Sequence, residues 1–206
     1  MIKVFIAEVG TIDLLFSKYI STESLERLAK MKSKKNCTLS LWAELLARSF
    51  ICEELGIKNS SLCIERSSFD KPFLPDYPSL HFNVSHTNNA VAIAISTSPV
   101  GIDIEHCGRK LSARVIKRIC NPNEIKQLAQ GLAPIELWTK KEALFKRDGQ
   151  KLYFPISHLD TTSSPIYTWL INNYATAVCC DEVPAAPVIL TAADLNKMLL
   201  KLDEHK

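Results

Sequence analysis

Two acids spaced two residues apart are the first residues in this sequence that could do chemistry. In Gly101-Ile102-Asp103-Ile104-Glu105, strand alternation points Ile102 and Ile104 to one face and Asp103 and Glu105 to the other. Residues i and i+2 of a strand lie about 6–7 Å apart, close enough for one hard cation to bridge both carboxylates. Alone, a D-x-E segment also suits an ordinary half-buried strand. A second segment changes its meaning: Trp138-Thr139-Lys140-Lys141-Glu142-Ala143-Leu144-Phe145-Lys146. On a helix, positions 138, 141, 142, 145 and 146 read as one face. The bland reading is a solvated helix with a Glu142–Lys146 pair worth about 0.3–0.5 kcal/mol. A third carboxylate with a lysine is also what a magnesium-assisted phosphoryl displacement requires, the acids holding metal or taking a proton and the lysine neutralising phosphate charge. The third segment is Phe82-Asn83-Val84-Ser85-His86. Read as a polar turn feeding an apolar strand, it offers hydroxyl, imidazole and backbone N–H donors to phosphate oxygens.

The chain that must position these groups has 206 residues and a formal net charge of +3, with 47% hydrophobic and 23% charged residues. Those proportions fit a globular protein of one domain or two small ones, and exclude disordered, collagenous and coiled-coil classes. The weak charge gives no reason to expect nucleic acid. No apolar run reaches the roughly 18–20 residues of a membrane span, and Glu8 interrupts the N-terminus too early for a signal peptide. The seven cysteines include no C-x-x-C pair and the histidines no H-x-x-x-H. Reduced thiols in a cytoplasmic protein, without structural zinc, are therefore expected.

The elements follow from periodicity and punctuation. A strand is expected near 2–8. A helix opens after Ser21-Thr22, and a second carries Leu41, Leu45, Leu46 and Phe50 to a C-cap at Gly56. Residues 57–80 read as irregular. Strands follow at His81–Val84 and Ala90–Ser96, and Val100–Glu105 returns after Ser98-Pro99 as a hairpin partner. Helices near 112–130, interrupted at Asn121-Pro122, and at 134–147 precede a hairpin turning at Asn172-Asn173. Thr191 and Asp194 resemble a capping box for a last helix. The expected architecture is α+β: two similar subdomains, 1–98 and 99–206, in pseudo-twofold arrangement, with the active site in the cleft between them.

In order and spacing the three segments resemble the 4′-phosphopantetheinyl transferase superfamily, in its monomeric Sfp-like branch, whose F-N-x-S-H, G-x-D-x-E and W-x-x-K-E-A-x-x-K signatures stand at 82–86, 101–105 and 138–146. The resemblance covers residues 20–150 well and the C-terminal third by pattern. It implies transfer of the phosphopantetheine arm of coenzyme A to a serine hydroxyl of an acyl or peptidyl carrier protein, releasing adenosine 3′,5′-bisphosphate. It further implies Mg2+ on Asp103, Glu105 and Glu142, with Glu142 as base for the serine. Lys146, Ser85 and His86 would bind the diphosphate or the 3′-phosphate, His86 and Lys146 joining Glu142 as catalytic groups. Lys71 would line the adenine end, and Arg27 with Ser40 would hold the 3′-phosphate.

The sequence departs from the family pattern in places. Position 39 is leucine where an arginine is often seen, with Lys35 nearby as a substitute, and the G-K-P turn is Asp70-Lys71-Pro72. The segment before Trp138 lacks the aromatic pair many members carry. Two other functions use similar residues. A metal-dependent nuclease of the D…E-x-K type wants a lysine two residues after the acid, but His106 and Cys107 follow Glu105. A non-catalytic carrier-binding module of the same fold has no need of all three acids and Lys146.

Overall fold

The computed structural model describes residues 2–149 and 156–204. The first half begins with β1 (Lys3–Glu8), followed by a 3-10 turn at Leu14–Tyr19, α1 (Thr22–Ala29) and α2 (Lys34–Leu55). Ser21 and Ser33 cap the two helices by accepting hydrogen bonds from the Ser24 and Asn36 amides, and Gly56 ends α2 in the left-handed conformation with φ 64°. A small hairpin, β2 (Glu65–Arg66) with β3 (Pro72–Phe73), lies in the segment read as irregular. Then come β4 (His81–Thr87) and β5 (Ala90–Ser96), antiparallel across a tight turn in which Asn88 has φ 46°.

The second half repeats this order. It runs β6 (Gly101–His106), α3 (Ala113–Ile119), α4 (Pro122–Ala129), α5 (Pro134–Asp148), β7 (Ile166–Ile171) and β8 (Tyr174–Cys179). Asn121 and Glu124 form a full capping box at α4, with proline at its first position. The β7–β8 hairpin turns at Asn172, φ 52°, as the Asn-Asn pair predicts. The strands of the first half stand in the order β4-β5-β1, within a four-stranded sheet, and those of the second in the order β7-β8-β6, so in each the last hairpin strand lies between its partner and the opening strand. The duplication invisible in the residues is plain in the connectivity.

Three expectations are corrected. Val100–Glu105 is not the hairpin partner of β5: that strand has β4 on one edge and β1 on the other, so no edge is free, and β6 pairs with β8 in a separate sheet. Asn83–His86 is not a turn but the body of β4, its polar residues alternating with Phe82 and Val84. The last two elements, β9 (Val188–Leu190) and α6 (Ala192–Glu204), return to the first half instead of finishing the second. β9 pairs in parallel with β1, and Leu195, Met198, Leu199 and Leu202 of α6 join Leu41, Trp42 and Leu45 of α2 in one core. This return explains why α2 is buried continuously from Leu39 to Ser49 and not only along a leucine stripe: the sheet covers one side and α1 and α6 the other. Among the described residues no helix is long and apolar enough to cross a membrane.

Candidate active site

The site forms where β4 and β6 run side by side in the same direction without backbone pairing. Side chains join them instead. Asn83 Oδ1 accepts from the Ile102 amide at 3.1 Å, Ser85 Oγ donates to Asp103 Oδ1 at 2.8 Å, and Thr87 Oγ1 donates to Glu105 Oε2 at 2.8 Å. The alternation of β6 is as the sequence predicts: Ile102 and Ile104 enter the core, while Asp103 and Glu105 share the opposite face at 5% and 9% exposure.

Helix α5 brings the second motif to this ladder. It can lie against β6 because position 101 has no side chain; a Cβ there would stand 2.0 Å from the Ala143 carbonyl oxygen and 2.3 Å from the Arg147 nitrogen. Lys146 Nζ donates to Asp103 Oδ1 at 2.7 Å and to Ser85 Oγ at 2.9 Å. Glu142 is half-buried beside them. Burial, then the Asp103 charge, pushes its carboxyl above the ordinary glutamate range, while Lys146 and Arg109 pull it back. Arg109, which the sequence reading did not single out, ion-pairs with Glu105 and lies 5.1 Å over the Trp138 ring. Glu105 and Arg109 are four residues apart but lie on a strand and the loop after it, where the i,i+4 rule for helices does not apply.

Lys141 does not belong to this face. It is fully buried on another side of α5, where its ammonium meets Glu124 at 2.7 Å and donates to the Ile156 and Leu159 carbonyls. Glu124 in turn accepts from the Thr161 amide and hydroxyl and from the Asn121 amide. Both charges are thus fully satisfied, as a buried pair must be.

Next to the ladder, on the Ser85 and Lys146 side, opens a cavity of about 720 Å³. Arg27, Ser40, Ser85, His86 and Lys146 all line it, from α1, α2, β4 and α5. His86 Nε2 lies 3.3 Å from Ser40 Oγ. Burial, helped by the Lys146 and Arg27 charges, lowers the His86 pKa, so the imidazole is neutral at pH 7. Arg27 is aimed by Glu44, 3.3 Å away, which is itself held at 3.3 Å by the buried Arg48. Arg66 and Cys63 also border the cavity and were not foreseen.

The structure does not bring Lys71 into this group. Its ammonium donates to the Arg147 carbonyl at 2.6 Å and to the Val100 carbonyl at 3.5 Å, tying down the C-terminus of α5, and burial lowers its pKa. Its neighbour Pro72 reaches the cavity wall.

Among the described residues no three His, Cys, Asp or Glu side chains converge at metal-binding spacing, and Asp103 and Glu105 are paired with Lys146 and Arg109. Yet Asp103 Oδ2 is buried with no hydrogen-bond partner among the described residues, which leaves an anionic oxygen in want of a cation. Asp103, Glu105 and Glu142 are hard oxygen donors suited to a divalent ion.

Comparison with known proteins agrees with the arrangement. A family model described as 4′-phosphopantetheinyl transferase, N-terminal, matches residues 13–98, and one described as 4′-phosphopantetheinyl transferase superfamily matches residues 99–188. The chain is 29% identical over 185 residues to 4′-phosphopantetheinyl transferase gsp of Aneurinibacillus migulanus, covering 87% of this chain and 73% of that one. It is 28% identical over 207 residues to 4′-phosphopantetheinyl transferase Sfp of Bacillus subtilis (strain 168), covering 89% and 92%. A vertebrate relative, the L-aminoadipate-semialdehyde dehydrogenase-phosphopantetheinyl transferase of Xenopus laevis, is 26% identical over 172 residues, covering 74% and 57%. Two family matches in tandem along a duplicated fold, with all three motifs meeting at one ladder, make this chain a transferase that belongs to the 4′-phosphopantetheinyl transferase superfamily.

Proposed function

We propose that the protein transfers the 4′-phosphopantetheine arm of coenzyme A to a serine hydroxyl of an apo acyl or peptidyl carrier protein, with Mg2+ as cofactor and adenosine 3′,5′-bisphosphate as the other product. The observation that carries this reading is the meeting of Ser85, Asp103 and Lys146 through hydrogen bonds of 2.7–2.9 Å beside a cavity that Arg27, Ser40 and His86 also line. The serine oxygen bonds to the phosphorus of the pantetheine phosphate, the bond from that phosphorus to the bridging oxygen breaks, and the adenosine bisphosphate leaves with its electron pair. The serine proton passes to Glu142, whose raised pKa makes it a stronger base than an exposed glutamate.

Lys146 supplies positive charge to the reacting phosphate, and Ser85 and His86 donate or accept hydrogen bonds along the diphosphate. Arg27 and Ser40 hold the 3′-phosphate further down the cavity. Lys71 would reach the nucleotide by releasing the Arg147 carbonyl at the end of α5, its neighbour Pro72 already lining the cavity. Asp103, Glu105 and Glu142 would hold Mg2+, which when bound neutralises diphosphate charge. With a weak nucleophile and a highly charged electrophile, positioning and neutralisation are the whole of the task. Because one chain supplies both halves, the protein works as a monomer.

The test is to incubate the protein with coenzyme A, Mg2+ and apo carriers of both kinds, and weigh the carriers by mass spectrometry. A carrier heavier by one phosphopantetheine arm is the expected result. Unchanged masses for all carriers would refute the proposal.

A further inference from the structure

The two acids of β6 are neutralised by cations of different kinds. Lys146 is fixed: it bonds both Asp103 and Ser85 and is 26% exposed. Arg109 is loosely held. Its side chain is 44% exposed, and among the described residues it ion-pairs with Glu105, lies over the face of the Trp138 ring and acts on Glu142 through its charge. It sits on the loop after β6, where its amide closes a turn on the His106 carbonyl at 2.9 Å. Glu105 does not depend on it for position, because Thr87 holds the other carboxylate oxygen.

A divalent ion and a guanidinium cannot share Glu105 without repelling one another. Of the two cations, Arg109 is the one with room to leave and a surface to leave along, since an aromatic face attracts a guanidinium within about 6 Å of its centre. Trp138 itself is held by α5, so the pivot stays in place when the arginine turns.

We propose that Arg109 is the exchangeable counter-ion of this site: it neutralises Glu105 in the resting protein, competes with the divalent cation, and pivots away over the Trp138 ring when that cation binds. The proposal rests on the reading of Asp103, Glu105 and Glu142 as a cation site. It assigns a use to the aromatic residue that opens the second motif, and it makes Arg109 a determinant of metal affinity. The sign is unusual for a residue in a working site, because removing Arg109 tightens metal binding.

The experiment titrates Mn2+ alone, without coenzyme A, into the full chain by calorimetry. It compares the unmodified protein with Arg109→Met, Arg109→Gln and Asp103→Asn, each checked for folding by circular dichroism. Both Arg109 variants are expected to bind Mn2+ roughly two- to fivefold more tightly, the effect of removing one competing partly exposed ion pair. Mg2+ is expected to change the tryptophan emission of the unmodified protein, and this change should vanish in Trp138→Phe and in Arg109→Met. Unchanged or weaker Mn2+ affinity in folded Arg109 variants, with binding lost in Asp103→Asn, overturns the role of Arg109 and leaves the cation site standing. Absence of Mn2+ binding, or full binding by Asp103→Asn, overturns the cation site and this proposal with it.

Discussion

Glu142 is displaced from ordinary glutamate behaviour by burial first and then by neighbouring charges of both signs. Burial and the Asp103 charge raise its pKa, and Lys146 and Arg109 lower it. A carboxyl with a raised pKa becomes a base only above that pKa, so its titration, followed by NMR without divalent cation, should lie above the usual glutamate range. Asp103→Asn removes the negative neighbour and should shift that titration downward; an unmoved midpoint would show the two are not coupled. Glu142→Gln keeps shape and hydrogen bonding but not basicity, so kcat should fall about 10²–10⁴-fold while KM for coenzyme A changes far less. The thiols offer a footprint of the cavity. Cys63 and Cys107 are exposed, whereas Cys180 is buried and pushed up to about 12, chiefly by desolvation. Iodoacetamide should therefore label Cys63 and Cys107 and spare Cys180. Coenzyme A should protect Cys63, which borders the cavity, and leave Cys107 reactive; equal labelling of Cys63 with and without coenzyme A would place the ligand elsewhere. At this scale the sequence disclosed a good deal. Asp103 and Glu105 share a face because strands alternate, and Glu142 and Lys146 because they are one helical turn apart. Lys141 misled, since residues 141 and 146 lie about 140° apart around a helix and a loosely drawn stripe merges two faces.

Helix α5 serves two masters at the element scale. One side meets the acids of β6, and another carries the buried Lys141–Glu124 pair that ties it to α4. Its approach to β6 depends on Gly101. Gly101→Ala sets a methyl against the main chain of Ala143 and Arg147, which cannot swing aside as a side chain would. A loss of about 1–3 kcal/mol or more is expected, lowering the melting temperature by several degrees, with activity falling as Glu142 and Lys146 move away from the ladder. Gly10→Ala, where nothing lies within 4 Å, is the control and should melt like the parent. Local signals predicted most elements here because the devices that start and stop them are local: Ser21 at α1, Gly56 after α2, Asn121-Pro122 at α4, Asn172 in the β7–β8 turn. The destination of β6 was not legible. Whether a strand after Ser98-Pro99 turns back or crosses to a new sheet depends on which edges of β5 are already occupied, and β1 fills one of them from far away in sequence.

The whole molecule is two repeats and a clasp. The repeats share one connectivity, and β9 with α6 closes the chain back onto its own beginning. Deleting residues 188–206 removes Leu195, Met198, Leu199 and Leu202 from the first core. At about 1.5–3 kcal/mol for each buried side chain, this loss rivals the roughly 5–15 kcal/mol by which a whole domain is stable. The shortened chain should lose cooperative thermal unfolding and expose Trp42 to solvent, both readable by circular dichroism and tryptophan fluorescence; a sharp melt near that of the full chain would contradict it. No periodicity in the last helix could reveal this, since an amphipathic pattern says that a face is covered but not by what.

The unpaired border between β4 and β6 has a further consequence. Where sheets are continued by main-chain bonds, the joint is indifferent to which side chains it carries. Here the joint is written in side chains, and two of its three rungs end on the acids proposed to hold the metal. Assembly and chemistry therefore draw on the same bonds, and neither can drift alone. A change at Ser85 or Thr87 alters the grip between the two halves as well as the set of the acids, and whatever pulls on Asp103 or Glu105 during turnover is felt as tension across the middle of the molecule.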